Sequence, residues 1–102
     1  MRVDDAIEQL RQQQASIRCS DLVQILTGLG FEVRSGRAPG HKVVTHPKIK
    51  GLYSNFDCGH GRSPEVRVPY VLNMRRVLRQ YHSELTELET KAIASAKKEE
   101  TP

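Results

Sequence analysis

The chain has no apolar run approaching the ~18 residues of a membrane span, which excludes a helical anchor within it. Its start, MRVDDAIEQL, is too acidic and polar for a secretory signal, so none is expected. It has only two cysteines, Cys19 and Cys58, and no paired C-x-x-C spacing, which predicts neither a disulfide framework nor a zinc site. A phosphate cradle of the G-x-x-x-x-G-K-[ST] kind is missing, as are an acid pair and a Ser/His/Asp arrangement at any recognisable spacing. Aromatic residues are few, and Phe31, Phe56, Tyr70 and Tyr81 are too scattered for a base-stacking platform; core packing is the expected role of all four. No internal repeat is present. These absences predict a soluble protein with reduced thiols in the cytoplasm.

What remains is one small domain of 102 residues. Leu, Ile, Val and Phe make up about a quarter of it, above the roughly 20 % at which disorder becomes the default, so a thin core is expected. The net charge of +4 is unevenly spread: residues 31–80 carry ten basic and three acidic side chains, whereas both flanking segments are net acidic. A basic excess confined to the middle favours a polyanionic partner, nucleic acid above all.

Val3, Ala6, Ile7 and Leu10 fall at helical spacing, predicting a short leading helix over about 4–14. Ser20 suits an N-cap, and Leu22, Val23, Ile25, Leu26 and Leu29 form a core-facing stripe that Gly30 should close. Phe31–Arg34 alternates apolar and charged residues, SGRAPG reads as a turn, and His41–His46 is β-branched; together they predict an antiparallel hairpin. Tyr53–Asp57 is a candidate third strand, and Gly59–Arg62 a loop. Pro69 fits the start of a last helix whose stripe of Val71, Met74, Leu78, Tyr81, Leu85 and Leu88 carries it to at least Ser83. From Ala92 the charged tail is expected to fray. The predicted order is α-α-β-β-β-α, with 1–15 a leading helix, 16–83 the functional domain and 84–102 a helical extension and tail.

Five of the seven glycines and three of the four histidines, His41, His46 and His60, lie between Gly36 and Gly61. Histidine exchanges protons near neutrality, and Lys and Arg stabilise charge on a phosphorane without a metal. That pairing suits cleavage of RNA through its own 2′-hydroxyl. The substrate supplies the nucleophile, and the protein need only move a proton and hold charge. Arg34, Arg37, Lys42 and Arg62 are the expected phosphate contacts. His60, between two glycines, is a candidate second proton-transfer or phosphate group. His46, before Pro47, reads as structural and His82 as helix surface. Cys58-x-His60 with His41 or His46 is not a standard zinc spacing. Arg75, Arg76 and Arg79 form a second basic cluster, suited to RNA or to the acidic surface of an inhibitor.

The order of these residues adds more. LTGLGFEVR at a helix end leads through a turn to Gly40-His41-Lys42-Val43-Val44-Thr45-His46-Pro47. Asn55–Arg62 follows, and then Tyr70-Val71 through Arg76-Val77-Leu78 to Tyr81. Over about Ser16 to Tyr81 the chain resembles the HicA family of bacterial toxins, small RNA endonucleases. Where the family turn reads Gly-Ser-His, this chain has Pro39-Gly40-His41. The resemblance implies an α+β, double-stranded-RNA-binding-like α-β-β-β-α sandwich, here with an extra N-terminal helix and an extended C-terminal one. It implies His41 as the catalytic histidine, Gly40 beside it at the RNA, mRNA as substrate and a HicB-type antitoxin as partner. The mechanism requires neither a metal nor an organic cofactor. Two other readings stay open: a noncatalytic nucleic-acid-binding module of the same fold, and dimerisation through the acidic termini and long last helix.

Overall fold

The apolar stripe of the second helix organises the molecule. A computed structural model describes residues 2–59, 61–62 and 64–100, with 92–100 as helical backbone alone. In it Leu22, Ile25 and Leu26 of α2 (Cys19–Gly28) are buried. They meet Val44, Phe56, Val71, Met74, Val77 and Leu78 in one core. The helix ends where Gly30 was expected to close it: the Gly30 N–H donates to the Thr27 carbonyl and the Phe31 N–H to Leu26, both at 3.0 Å. Its start differs from expectation. Ser20 lies inside the helix, Arg18 precedes the first turn without a side-chain cap, and the Cys19 N–H is satisfied by the Pro64 carbonyl at 2.9 Å. A contact distant in sequence replaces the local cap.

The predicted strands form a three-stranded antiparallel sheet of β2 (Glu32–Ser35), β3 (His41–Thr45) and β4 (Tyr53–Asp57), with β3 central. Alternation divides its residues. Val44, Ser54 and Phe56 are buried against the helices, whereas His41, Val43, Thr45, Tyr53, Asn55 and Asp57 belong to the opposite, outer face. Two short strands were not foreseen, β1 (Ile17–Arg18) and β5 (Glu65–Val66), which pair antiparallel and bury Ile17 and Val66.

The last helical segment is two helices, α3 (Val68–Gln80) and α4 (His82–Glu100), parted at Tyr81, where a single helix was expected. The expected stripe survives the break: Val71, Met74, Leu78 and Leu85 are buried, and Tyr81 and Leu88 pack against the core. α4 stays helical past Ala92, where the tail was expected to fray; its Ala, Lys and Glu residues are strong helix formers. The leading helix, α1 (Val3–Gln12), is part of the same core, with Val3, Ala6 and Leu10 fully buried. Two polar contacts fasten it to α4. His82 Nε2 bonds the Asp4 carboxylate at 2.7 Å, and the Val3 N–H donates to Glu89. The molecule is thus a small α+β domain with four helices and two antiparallel sheets among the described residues. No helix among them is long and apolar enough to cross a membrane.

One expectation is overturned outright. Cys19 and Cys58 form a disulfide, with their Cα atoms 5.4 Å apart, joining the start of α2 to the residue after β4. A single pair separated by 39 residues carries no recognisable spacing, so only the fold brings it together. The bond also removes the Cys58 thiolate from any zinc site with His60.

Candidate active site

β3 begins immediately after a tight turn, and that turn presents His41. Gly40 has φ +81°, and a Cβ there would lie 2.2 Å from the Cys58 carbonyl oxygen. Glycine is required on both counts. Its own carbonyl accepts the Cys58 N–H at 2.7 Å, which fixes the mouth of β3 against the end of β4. Across the turn, Gly36 donates its N–H to the His41 carbonyl at 2.8 Å. A Cβ at Gly36 would stand 2.2 Å from His41 Cδ2, so the imidazole lies directly on the bare backbone.

The register then supplies a partner. His41 pairs with Asp57, and both side chains belong to the outer face. His41 Nδ1 donates to Asp57 Oδ1 at 2.8 Å, and the Tyr70 hydroxyl, from the first turn of α3, donates to Asp57 Oδ2 at 2.9 Å. These two hydrogen bonds, from His41 first and Tyr70 second, hold the Asp57 carboxyl below its ordinary value. The same bond raises the Tyr70 phenol above its own. Through neutral pH, therefore, Asp57 is ionised and Tyr70 protonated. Arg67, just before α3, adds a positive charge that also favours the carboxylate. The Nδ1 proton on the Asp57 side leaves the Nε2 lone pair as the basic position of the neutral ring. Nε2 has no hydrogen-bond partner among the described residues, and the side chain is 30 % exposed.

Of the residues expected at the site, His41 and Gly40 stand at its centre. Arg34 shares the outer face one cross-strand row away, 74 % exposed and paired with Glu32 at 2.8 Å. Arg37 is exposed in the turn that carries His41. Lys42, the neighbour of His41 in the strand, faces the other side of the sheet, where its Nζ donates to Ser35 Oγ at 3.2 Å. Arg62 is exposed in the loop after β4. His60 lies outside the described residues. Asp57, Tyr70 and Arg67 were missed. A polar residue closing a predicted strand could have flagged Asp57, but its partner depends on a register unknown in advance.

The second basic cluster is real but separate. Leu72, Arg75, Arg76 and Arg79 line a shallow cleft of about 170 Å³ on α3. Arg76 is held by Asn73 at 2.9 Å and Gln80 at 3.2 Å. A groove of about 580 Å³ opens beside His46, between Leu29, Pro47, Leu85 and Leu88, and none of His41, Asp57 or Tyr70 lines it. No protein-family model, curated protein or solved structure matches the chain.

Proposed function

We propose that the protein is an RNA endonuclease of the HicA toxin kind, cutting mRNA through the substrate's own 2′-hydroxyl. In this reading the α2–β2–β3–β4–α3 portion is a double-stranded-RNA-binding-like sandwich, to which α1 and α4 are additions. The observation that carries the proposal is the Tyr70–Asp57–His41 hydrogen-bond chain, which leaves His41 Nε2 without a partner among the described residues, at a strand mouth with Arg34, Arg37 and Arg67 nearby.

Asp57 keeps the Nδ1 proton in place, so His41 Nε2 is the position that accepts the 2′-hydroxyl proton. The 2′-oxygen forms a bond to phosphorus as the bond from phosphorus to the 5′-oxygen breaks. The leaving oxygen takes a proton from the imidazolium or from water. Arg34, Arg37 and Arg67 stabilise the charge that builds on the phosphorane. The products are a 2′,3′-cyclic phosphate and a 5′-hydroxyl, and no step calls on a metal.

An acidic inhibitor of the HicB kind fits the same face, because covering His41 and neutralising the arginines favours fast association. Action on mRNA would place the protein in the cytoplasm; the Cys19–Cys58 disulfide is the observation that speaks against that compartment, where thiols are kept reduced. A noncatalytic nucleic-acid-binding module is the second reading, favoured by Pro39 and Gly40 standing where the family motif has Gly-Ser. Incubation with a defined mRNA in excess EDTA separates the two. The endonuclease leaves 5′-hydroxyl ends at undiminished rate. Intact RNA, 5′-phosphate ends or inhibition by the chelator would overturn the proposal.

A further inference from the structure

We propose that the outer face of the β2–β3–β4 sheet is the track for an unpaired RNA strand flanking the cleaved phosphate, with Tyr53 as a base-stacking platform. This deepens the endonuclease reading and rests on it for the position of the cut. Tyr53 is 64 % exposed although it stands within a strand, so core packing does not account for it. The register places it opposite Thr45, in a row that shares the outer face with the His41–Asp57 row. The rows are four residues apart, about 13 Å along the strands. Between them lie Arg34, Val43 and Asn55, a cation, a small apolar surface and an amide.

The face also carries two carboxylates, but both are engaged: Glu32 by Arg34 and Asp57 by His41 and Tyr70. Exposed cations stand towards both ends, Arg37 in the turn before His41 and Lys50 in the turn before Tyr53. Among the described residues the helices pack on the other side, towards which the buried Val44, Ser54 and Phe56 of β3 and β4 point. An aromatic face, a hydrogen-bonding amide and flanking cations are the components with which proteins hold single-stranded nucleic acid. Stacking on Tyr53 would tolerate any base, so the track contributes affinity and placement more than sequence choice.

The test measures binding of an oligoribonucleotide of about ten residues, fully 2′-O-methylated so that it cannot be cut, alongside cleavage of the unmodified strand. Tyr53→Ala should weaken binding about five- to 150-fold, the range for loss of one stacked base, and raise KM on the cleavable strand. Tyr53→Phe should bind like the parent, because the ring rather than the hydroxyl is used. A dinucleotide, too short to reach Tyr53, should be cut equally by the parent and Tyr53→Ala. No binding of the methylated strand by the parent, binding by Tyr53→Ala within twofold of it, or equal loss in Tyr53→Phe would each overturn the track. If the parent binds but does not cut, and Tyr53→Ala still binds more weakly, the endonuclease reading fails while the track stands. If the parent cuts and Tyr53→Ala matches it in binding and KM, the track fails alone.

Discussion

The two histidines at the ends of β3 have the same side chain and opposite circumstances. His46, just past the strand, is 8 % exposed, and both of its ring nitrogens are occupied. Nε2 donates to the Leu29 carbonyl at 3.3 Å, and Nδ1 accepts the Lys48 N–H at 3.1 Å. Its ring stands edge-on to Phe31 with centroids 4.9 Å apart. His41, at the other end, has one nitrogen tied to a carboxylate and the other without a hydrogen-bond partner among the described residues. The first ring is spent on structure and has no proton to trade without breaking a contact. The second is held in place and still has a position free. What sets the two rings apart is how much the strand's neighbours leave unsatisfied.

The comparison breaks most sharply if the two residues can exchange roles. His41→Ala should lower RNA cleavage by about 10²- to 10⁴-fold, the usual range for losing a positioned acid or base, with little change in thermal midpoint. His46→Ala should do the reverse. It should cost about 2–4 kcal/mol in unfolding free energy, through two lost hydrogen bonds and an aromatic contact, with cleavage per folded molecule retained. Parallel denaturant titrations and cleavage rates would show whether the effects separate.

The support around His41 comes next. Gly36→Ala puts a methyl group into the space of the imidazole, and Asp57→Asn removes the acceptor that fixes its tautomer. Each should reduce cleavage on the order of 10²-fold, the scale of a displaced catalytic group, while the circular dichroism spectrum stays unchanged. Tyr70→Phe leaves Asp57 with its histidine bond and should cost only about threefold to tenfold, one modest hydrogen bond. A larger effect would mean that the phenol reaches the RNA itself.

The smallest effect is one of pH on stability. Because His41 and Tyr70 depress the Asp57 pKa on folding, its contribution is complete above the unfolded value of about 3.9 and is lost as pH falls through the lower folded value. The parent should therefore lose thermal stability more steeply below about pH 4 than Asp57→Asn. Melting curves between pH 2 and 6 would reveal the difference in slope.

Much of the scaffold was legible because it is periodic. The α2 stripe, the hairpin around SGRAPG and the helix opening at Pro69 each extend over enough residues for a repeat to declare itself. β1 and β5 have two residues each and no period to show. The break at Tyr81 leaves the apolar stripe intact, so nothing in the pattern marks it. The site was half legible. His41 stood out between a glycine turn and a β-branched run, and the bare alternation of a strand would already have turned Lys42 away from it. Asp57, Tyr70 and the Cys19–Cys58 bond come from pairing over 16, 13 and 39 positions of chain, which local pattern does not encode.

The central claim, that His41 Nε2 takes the proton from a ribose that attacks its own phosphate, is tested most directly with a DNA oligonucleotide carrying a single ribonucleotide. The parent protein should cut it only after that residue, leaving a 2′,3′-cyclic phosphate and a 5′-hydroxyl, and His41→Ala should leave it whole. Equal cutting by His41→Ala, or cutting at the deoxy positions, would contradict the account.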